Sequence, residues 1–386
     1  MTHPLLPETL DLLDGLVACP SVSADSNLGV IDLLANRLSD AGARVEILQD
    51  GTGTKANLWA TLGPDVDGGL VLSGHTDVVP VADQPWTVDP FGLTRRDDRV
   101  MGRGTCDMKG FLAAVVAMAP TLGPHIADRP LHFAFTHDEE VGCLGGQALI
   151  ATLKDRGVRP RLAIVGEPTS MRIVDGHKGC CEYSTRFAGY EGHGSTPALG
   201  VNAVEYATLF ASRLLALRDA LAASPPPEGR FDPPHTTLNI GALHGGKAHN
   251  VIPGYAQLDW EMRPVQKSDH RRVWDDLNSY TKDVLLPAMQ AVHPGAWIET
   301  ETIGDVVGLL PMPENAARDL VMALTGANGT HLVPFSTEAG LFQEIGMDVV
   351  LCGPGDIAQA HKPDEWLALS QLDDCLGMLE RLGPQL

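Results

Sequence analysis

Residues 70–80 read LVLSGHTDVVP, and the fold assigned to the chain depends on this stretch. It begins as an apolar run of strand character and ends in a Gly-His-x-Asp turn that carries His75 and Asp77. In open α/β sheets, ligands bind beyond the carboxyl ends of the strands. Aspartate is also a frequent partner of a metal-bound histidine, because it fixes the tautomer of the ring. The stretch is therefore a candidate metal site, and the competing interpretation is a loop with two solvated side chains.

Segments of helix and strand character alternate around this stretch. The spacing of apolar residues predicts helices at 8–18, 27–41, 111–122 and 145–155, and strands at 45–48, 57–62, 70–73, 131–136 and 161–165. This alternation is typical of a three-layer α/β domain with a mostly parallel mixed sheet.

The pattern changes near residue 177. The next predicted elements are strands at 178–188, 236–243 and 255–263 and helices at 203–222 and 269–290, with a Pro-rich loop at 224–234. After residue 297 the α/β pattern resumes with helices at 314–324, 338–344 and 370–381 and a strand at 348–352. The sequence therefore predicts an α/β catalytic domain formed by residues 1–176 and 287–386. It is interrupted by a smaller α+β domain at 177–286, a size usual for a domain.

Composition excludes several classes of protein. The 386 residues include 28 basic and 49 acidic side chains, which give a net charge of −21. Nucleic acids and anionic membrane surfaces both need a basic patch, so neither is an expected partner. The N-terminus has no signal-peptide pattern, and no apolar run approaches the roughly 20 residues that span a bilayer. The seven cysteines form no CxxC pair, so reduced thiols in a cytoplasmic protein are expected.

Ligands of the kind that metals prefer recur at four further places. Asp107 begins an apolar helix, Glu139 and Glu140 follow one predicted strand, Glu167 follows another, and His361 follows the loop after a third. The carboxyl ends of parallel strands converge at one edge of a sheet. Taken alone, Asp107 could be a helix N-cap and the glutamate pair an acidic solvated loop, and most single Glu or His residues after strands are structural or solvated. Together they suit two ions that share Asp107, and ligands without thiolate fit zinc, cobalt or manganese.

The order of longer motifs adds a resemblance. Between about residues 70 and 370 the chain contains, in order, SGHTDVVPV, WTVDPFGLT, GRGTCDMKGFLAAV, DEEVGCLGG, VGEPTS, HKG, GHGSTPALGVNA, NIGALHGGKAHNVIP, MRPV, STEAG and GPGDIAQAHKPDEW. In these motifs the chain resembles the di-metal amidohydrolases that include aminoacylase, glutamate carboxypeptidase and succinyl-diaminopimelate desuccinylase.

The resemblance implies a role for each site residue. It makes His75 and Glu167 ligands of one metal, His361 and Glu140 ligands of the other, and Asp107 the bridge. Asp77 would orient His75, Glu139 would be the general base, and His193 would reach a neighbouring subunit's site and polarise the scissile carbonyl. Two divalent ions are implied, Zn²⁺ first and Co²⁺ as the alternative.

Substrate recognition is assigned on chemical grounds. Arg263 is the candidate partner of the substrate carboxylate, because a guanidinium binds a carboxylate bidentately, and Asn250 would assist. The competing interpretation of Arg263 is a salt bridge at the end of a strand.

The resemblance also implies the reaction. The expected activity is hydrolysis of N-acetyl-L-ornithine, or a closely related N-acetyl amino acid, in arginine biosynthesis by a homodimer. The inserted domain would be its lid or dimerisation domain. The sequence GHGSTP stands where relatives often read GHSSDP, which leaves substrate preference open. The alternatives are a desuccinylase or dipeptidase of the same family, and a catalytically silent metal-binding or interaction protein.

Overall fold

The structure, a computed structural model, describes residues 2–386 as an alternation of helices and strands. The helices are α1 Leu6–Val17, α2 Leu28–Asp40, α3 Gly110–Leu122, α4 Leu144–Arg156, α5 Ala203–Ala222, α6 Lys267–Tyr280, α7 Leu286–Val292, α8 Ala316–Thr325, α9 Ala339–Glu344 and α10 Leu369–Leu382. The strands are β1 Arg44–Gln49, β2 Ala56–Leu62, β3 Leu70–His75, β4 Thr94–Arg96, β5 Arg99–Met101, β6 Leu131–Thr136, β7 Leu162–Pro168, β8 Val174–His177, β9 Cys180–Ala188, β10 Gly192–His193, β11 Thr237–Gly245, β12 Val251–Ile252, β13 Tyr255–Arg263, β14 Trp297–Val306, β15 His331–Val333, β16 Asp348–Gly353 and β17 Trp366–Ala368.

The first compact unit contains the described residues 2–176, 311–333 and 337–386. Its eight-stranded sheet has the order β1-β2-β6-β3-β7-β16-β8-β15. The four central strands β6, β3, β7 and β16 are parallel, and β1, β2 and β8 join antiparallel. The predicted α/β class with a mostly parallel mixed sheet is confirmed.

Helix α3 packs directly on this sheet because both surfaces are apolar and closely fitted. An ideal Cβ atom at Gly166 would lie 2.0 Å from the ring of Phe111, so only glycine fits there. By length and composition the helical run Thr105–His125 could cross a membrane, which the sequence analysis did not anticipate. However, 83% of its most apolar window is buried inside the protein, as in the core helix of a globular domain.

The second compact unit contains residues 177–310 and 334–336. Its antiparallel sheet has the order β11-β13-β9-β14, and α5 and α6 supply apolar side chains to a shared core. The boundary expected at residue 286 differs from the structure, because β14 pairs with β9 and so extends this unit to residue 310. No strand was predicted at β14, whose side chains are mostly exposed.

A buried histidine gives the first unit a specific acid sensitivity. His132 on β6 is 5% exposed, lies 2.9 Å from the Thr61 hydroxyl and stacks on Trp59. Burial lowers the pKa of His132 to about 4. A histidine in an unfolded chain has a pKa of about 6.5, so the unfolded state binds more protons between pH 6.5 and 4. Stability should therefore be lost as the pH falls through this window.

We expect the His132→Phe variant to show a flatter pH dependence of the free energy of unfolding. The difference from the parent should reach about 3 kcal/mol between pH 6.5 and pH 4, as measured by urea unfolding at stepped pH. Replacing the exposed His244 by alanine is the control, and it should keep the parental slope. Equal slopes for the parent and His132→Phe would contradict the prediction.

Candidate metal centre and active site

The carboxyl edge of the large sheet gathers the predicted ligands. Strand β3 ends at His75, opposite Thr136, and β6 therefore delivers the following residues 137–140 to the same edge. Glu167 lies near the end of β7, which pairs in parallel with β3. The parallel register thus explains why residues distant in sequence meet here.

Asp107 lies between two imidazoles. Its Oδ1 is 3.0 Å from Nε2 of His75, and its Oδ2 is 3.4 Å from Nε2 of His361. Nε2 of His361 is also 3.0 Å from Oε2 of Glu140. Single donor atoms of His75, Asp107 and Glu140 all lie within 4.8 Å of one another. A carboxylate that presents one oxygen to each of two imidazoles is placed to be shared by two cations.

Glu167 tests whether the donor set fits a cation. Its side chain is buried, and its Oε1 has no hydrogen-bond partner among residues 2–386. An unpaired buried carboxylate oxygen is costly. A divalent cation beside Glu167 would satisfy this oxygen, so the residues present fit a metal.

The charges of the site also favour the binding of cations. Burial raises the pKa of Glu139, Glu140 and Glu167, and neighbouring carboxylates raise it further. Hydrogen bonds to Asp107 and Glu140 raise the pKa of His361 to about 10. The site therefore has a negative potential, as expected for a place that binds cations.

Asp77 contacts His75 and the glutamate pair and holds them in place. The backbone carbonyl of Asp77 lies 2.9 Å from Nδ1 of His75, and its carboxylate lies 3.6 Å from the same nitrogen. The carboxylate also accepts hydrogen bonds from the backbone N–H groups of Glu139 and Glu140, at 3.1 and 3.4 Å, and from the Ser23 hydroxyl at 2.6 Å. One carboxylate thus positions both the histidine at the end of β3 and the glutamate pair after β6.

Glu365 is a buried carboxylate beside the site to which the sequence alone gives no role. Its Oε1 accepts hydrogen bonds from the backbone N–H groups of Cys106 and Asp107, at 2.8 and 3.0 Å. Its Oε2 accepts from the Gly104 N–H at 3.1 Å and from the Arg103 guanidinium at 2.7 Å. Glu365 therefore ties the loop that carries Asp107 to its own segment, which carries His361. The only signal in the sequence was a carboxylate inside the last motif.

A second missed carboxylate is Glu338. It accepts hydrogen bonds from the hydroxyl groups of Ser73 and Thr136, at 2.6 and 2.7 Å. These residues lie at the carboxyl ends of β3 and β6, so Glu338 fixes the spacing of the two strand ends that deliver His75 and the glutamate pair.

We expect Glu365→Gln to weaken metal binding. The amide NH₂ group of glutamine would face N–H donors in place of an acceptor oxygen, so Asp107 would no longer be fixed. Loss of such a supporting contact typically costs about 10–100-fold in metal affinity. Equilibrium dialysis with Zn²⁺ measures the effect. Asp364→Asn is the control because Asp364 contacts Thr87 instead, and parental affinity in Glu365→Gln would contradict the prediction.

The other candidate residues belong to the second unit. His193 on β10 pairs opposite Val251, and the Gly194 N–H donates to the Asn250 carbonyl at 2.7 Å, so His193 and Asn250 are neighbours. The Ser195 N–H donates to Nδ1 of His193, which leaves Nε2 to carry the proton of the neutral ring. Arg263 donates through Nε and Nη2 to Glu261, so the salt bridge considered in the sequence analysis is present.

The chain is similar to a known protein family, to characterised sequences and to solved structures. The model of the peptidase family M20/M25/M40 matches residues 71–383. An acetylornithine deacetylase of Salmonella agona is 38% identical over 370 residues, which cover 94% of each chain. The M20 metallo-carboxypeptidase Sso-CP2 of Sulfolobus solfataricus has a TM-score of 0.73 at 17% identity, over 98% of this chain and all of that one.

A further solved structure shares the fold. The YXEP protein of Bacillus subtilis, described as a dinuclear metal-binding peptidase of the M20 family, has a TM-score of 0.66 at 16% identity. It covers 99% of this chain and 98% of that one. The family match and the identity along nearly the whole length show that this chain belongs to peptidase family M20/M25/M40 and is a metal-dependent hydrolase.

Proposed function

We propose that this chain hydrolyses N-acetyl-L-ornithine, or a closely related N-acetyl amino acid, to acetate and the free amino acid. The observation that carries the proposal is the 38% identity to an acetylornithine deacetylase over 94% of both chains. The candidate ligands His75, Asp107 and Glu140 also bring one donor atom each within 4.8 Å of one another. A reaction of arginine biosynthesis in the cytoplasm, by a homodimer, completes the proposal.

Two divalent ions belong to this proposal, Zn²⁺ first and Co²⁺ as the alternative. His75 and Glu167 would hold one ion, His361 and Glu140 the other, and Asp107 would serve both. The 3.0 Å contact between Glu140 and His361 supports pairing these two residues, and the two imidazoles facing Asp107 support its shared role. The unpaired Glu167 oxygen supports a cation beside Glu167. When bound, such ions supply Lewis-acid polarisation and an activated water.

The chain's own residues perform the proton transfers. Glu139 accepts a proton from the attacking water and returns it to the leaving amine nitrogen as the C–N bond breaks. Asp77 holds the backbone of Glu139 and the ring of His75 in place. His193 donates from Nε2 to the oxygen that becomes negative in the transition state. Arg263 would exchange Glu261 for the substrate α-carboxylate, with Asn250 beside His193.

A panel of substrates tests the proposal. Release of free amine would be followed for N-acetyl and N-succinyl amino acids and for dipeptides, with and without added zinc or cobalt. We expect the highest kcat/KM for N-acetyl-L-ornithine or a near analogue. A strong preference for a succinylated substrate or a dipeptide would reject deacetylation, and binding of metal without any turnover would favour the silent protein.

A further inference from the structure

A second group of metal-type donors lies in the second unit, between the sheet and α6. Cys181 is on β9, Asp305 is on β14, and His270 is on α6. One donor atom from each, a sulfur, an oxygen and a nitrogen, lies within 4.8 Å of the other two. None of these residues belongs to the catalytic centre described above.

We propose that Cys181, His270 and Asp305 bind one thiophilic divalent cation, with Zn²⁺ the best fit. Sγ of Cys181 lies 3.3 Å from Oδ1 of Asp305, and Oδ2 of Asp305 lies 3.9 Å from Nε2 of His270. Tetrahedral zinc with bonds of 2.0–2.3 Å separates its donor atoms by about 3.3–3.7 Å. These two contacts involve different oxygens of Asp305, and a single donor atom from each residue lies within 4.8 Å of the other two. The three side chains would therefore need to approach one another by about 1 Å to bind zinc.

Local structure explains why these side chains converge. Cys181 pairs directly opposite Asp305 across β9 and β14, so the two side chains share one face of the sheet. Tyr183 is two residues further along the same face, and its hydroxyl lies 3.0 Å from Nε2 of His270. This contact holds the ring of His270 beside Asp305, and the hydroxyl would leave Nε2 when a cation binds to that nitrogen. The other ring nitrogen, Nδ1, would then carry the N–H of the neutral ring.

Burial and charge also fit one divalent ion. Cys181 is only 1% exposed, whereas the side chains of His270 and Asp305 are 31% and 48% exposed. The exposed side gives an entry path and room for water as the fourth ligand. On binding, the thiol proton passes to solvent, and the thiolate and carboxylate together balance the two charges of the cation. Burial raises the pKa of the Cys181 thiol, so without a cation the sulfur keeps its proton.

The adjacent cysteine provides a contrast. Cys180 lies near Glu182 and Glu261 on the opposite face of the sheet, with donor atoms at similar spacing. There the Arg263 guanidinium lies 2.9 Å from Glu261 and already supplies the positive charge. Cys180 is therefore a matched control for Cys181, since it is the same residue type one position away.

Cobalt distinguishes the two kinds of site in the full-length protein. Thiolate bound to Co²⁺ gives a near-ultraviolet charge-transfer band, which the oxygen and nitrogen ligands of the catalytic centre do not. We expect the wild-type protein loaded with Co²⁺ to show this band and to retain one more cobalt per chain than Cys181→Ser. The Cys180→Ser variant should keep both the band and the extra ion.

A second variant keeps the test valid if Cys181→Ser fails to fold. Asp305→Asn keeps the sulfur and the volume of the side chain, so it should fold, lower the affinity for the extra Co²⁺ and shift the band. A wild-type protein without the band, or a band that survives Cys181→Ser, would overturn the proposal. Neither result depends on the substrate of the enzyme, because both are read from bound metal.

Discussion

The Glu139→Ala variant is expected to lose nearly all amide hydrolysis while it keeps both metal ions. Glu139 is the proposed proton acceptor, and general acid–base catalysis typically contributes about 10²–10⁴-fold to the rate. Its backbone N–H is held by Asp77, and this contact survives truncation of the side chain. Steady-state kinetics gives kcat, and metal analysis after gel filtration gives the stoichiometry.

The adjacent glutamate is the matched control. Oε2 of Glu140 lies 3.0 Å from Nε2 of His361, so Glu140→Ala should lower metal content as well as turnover. The two variants differ by one position in the same loop, so a general disturbance of the loop would affect them alike. An empty metal site in Glu139→Ala would refute the division of roles between the two residues.

The His193→Ala variant is expected to lower kcat by about 10²–10³-fold, the usual cost of removing a donor to the developing oxyanion. The side chain is exposed, and Ser195 fixes Nδ1 as its acceptor atom, so removal should leave folding and metal content unchanged. Near-parental kcat would exclude His193 from the reaction. Ser195→Ala, which keeps the backbone N–H donor, should have a much smaller effect.

A mixing experiment tests whether His193 acts on a neighbouring subunit. Glu139→Ala supplies an intact His193, and His193→Ala supplies an intact Glu139. If the two exchange freely into C2 dimers, one site in each mixed dimer regains both groups, and activity should return to about one quarter of the parental value. No recovery, in a mixture shown to contain mixed dimers, would place His193 in its own subunit's reaction or in none.

Much of the candidate site could be predicted from the sequence, because parallel strand pairing aligns the ends of the strands that carry its residues. His75, the glutamate pair and Glu167 each follow an apolar strand, and parallel pairing of β3 with β6 and β7 brings such positions to one edge. The apolar strands are also the strongest local signals in the chain. A residue that directly follows one of them can therefore be placed without knowing the rest of the fold.

Contacts made across loops were not predictable in this way. Glu365 acts through the backbone N–H groups of Cys106 and Asp107, and the sequence does not show which loop its carboxylate will meet. Strand β14 was not predictable from the sequence for a different reason. Most of its side chains are exposed, so its pairing with β9 depends mainly on backbone hydrogen bonds, which leave no apolar pattern.

The interruption of the first unit delays the completion of its sheet during translation. Strand β7 ends at Pro168, but its parallel neighbour β16 begins only at Asp348, after the whole second unit has been synthesised. Until then one edge of β7 exposes unpaired N–H and C=O groups, which invite pairing with other chains. His361 emerges later still. During translation the nascent chain therefore carries an open sheet edge and lacks a metal ligand, so ribosome stalling or C-terminal truncation should yield aggregating chains rather than a partly active enzyme.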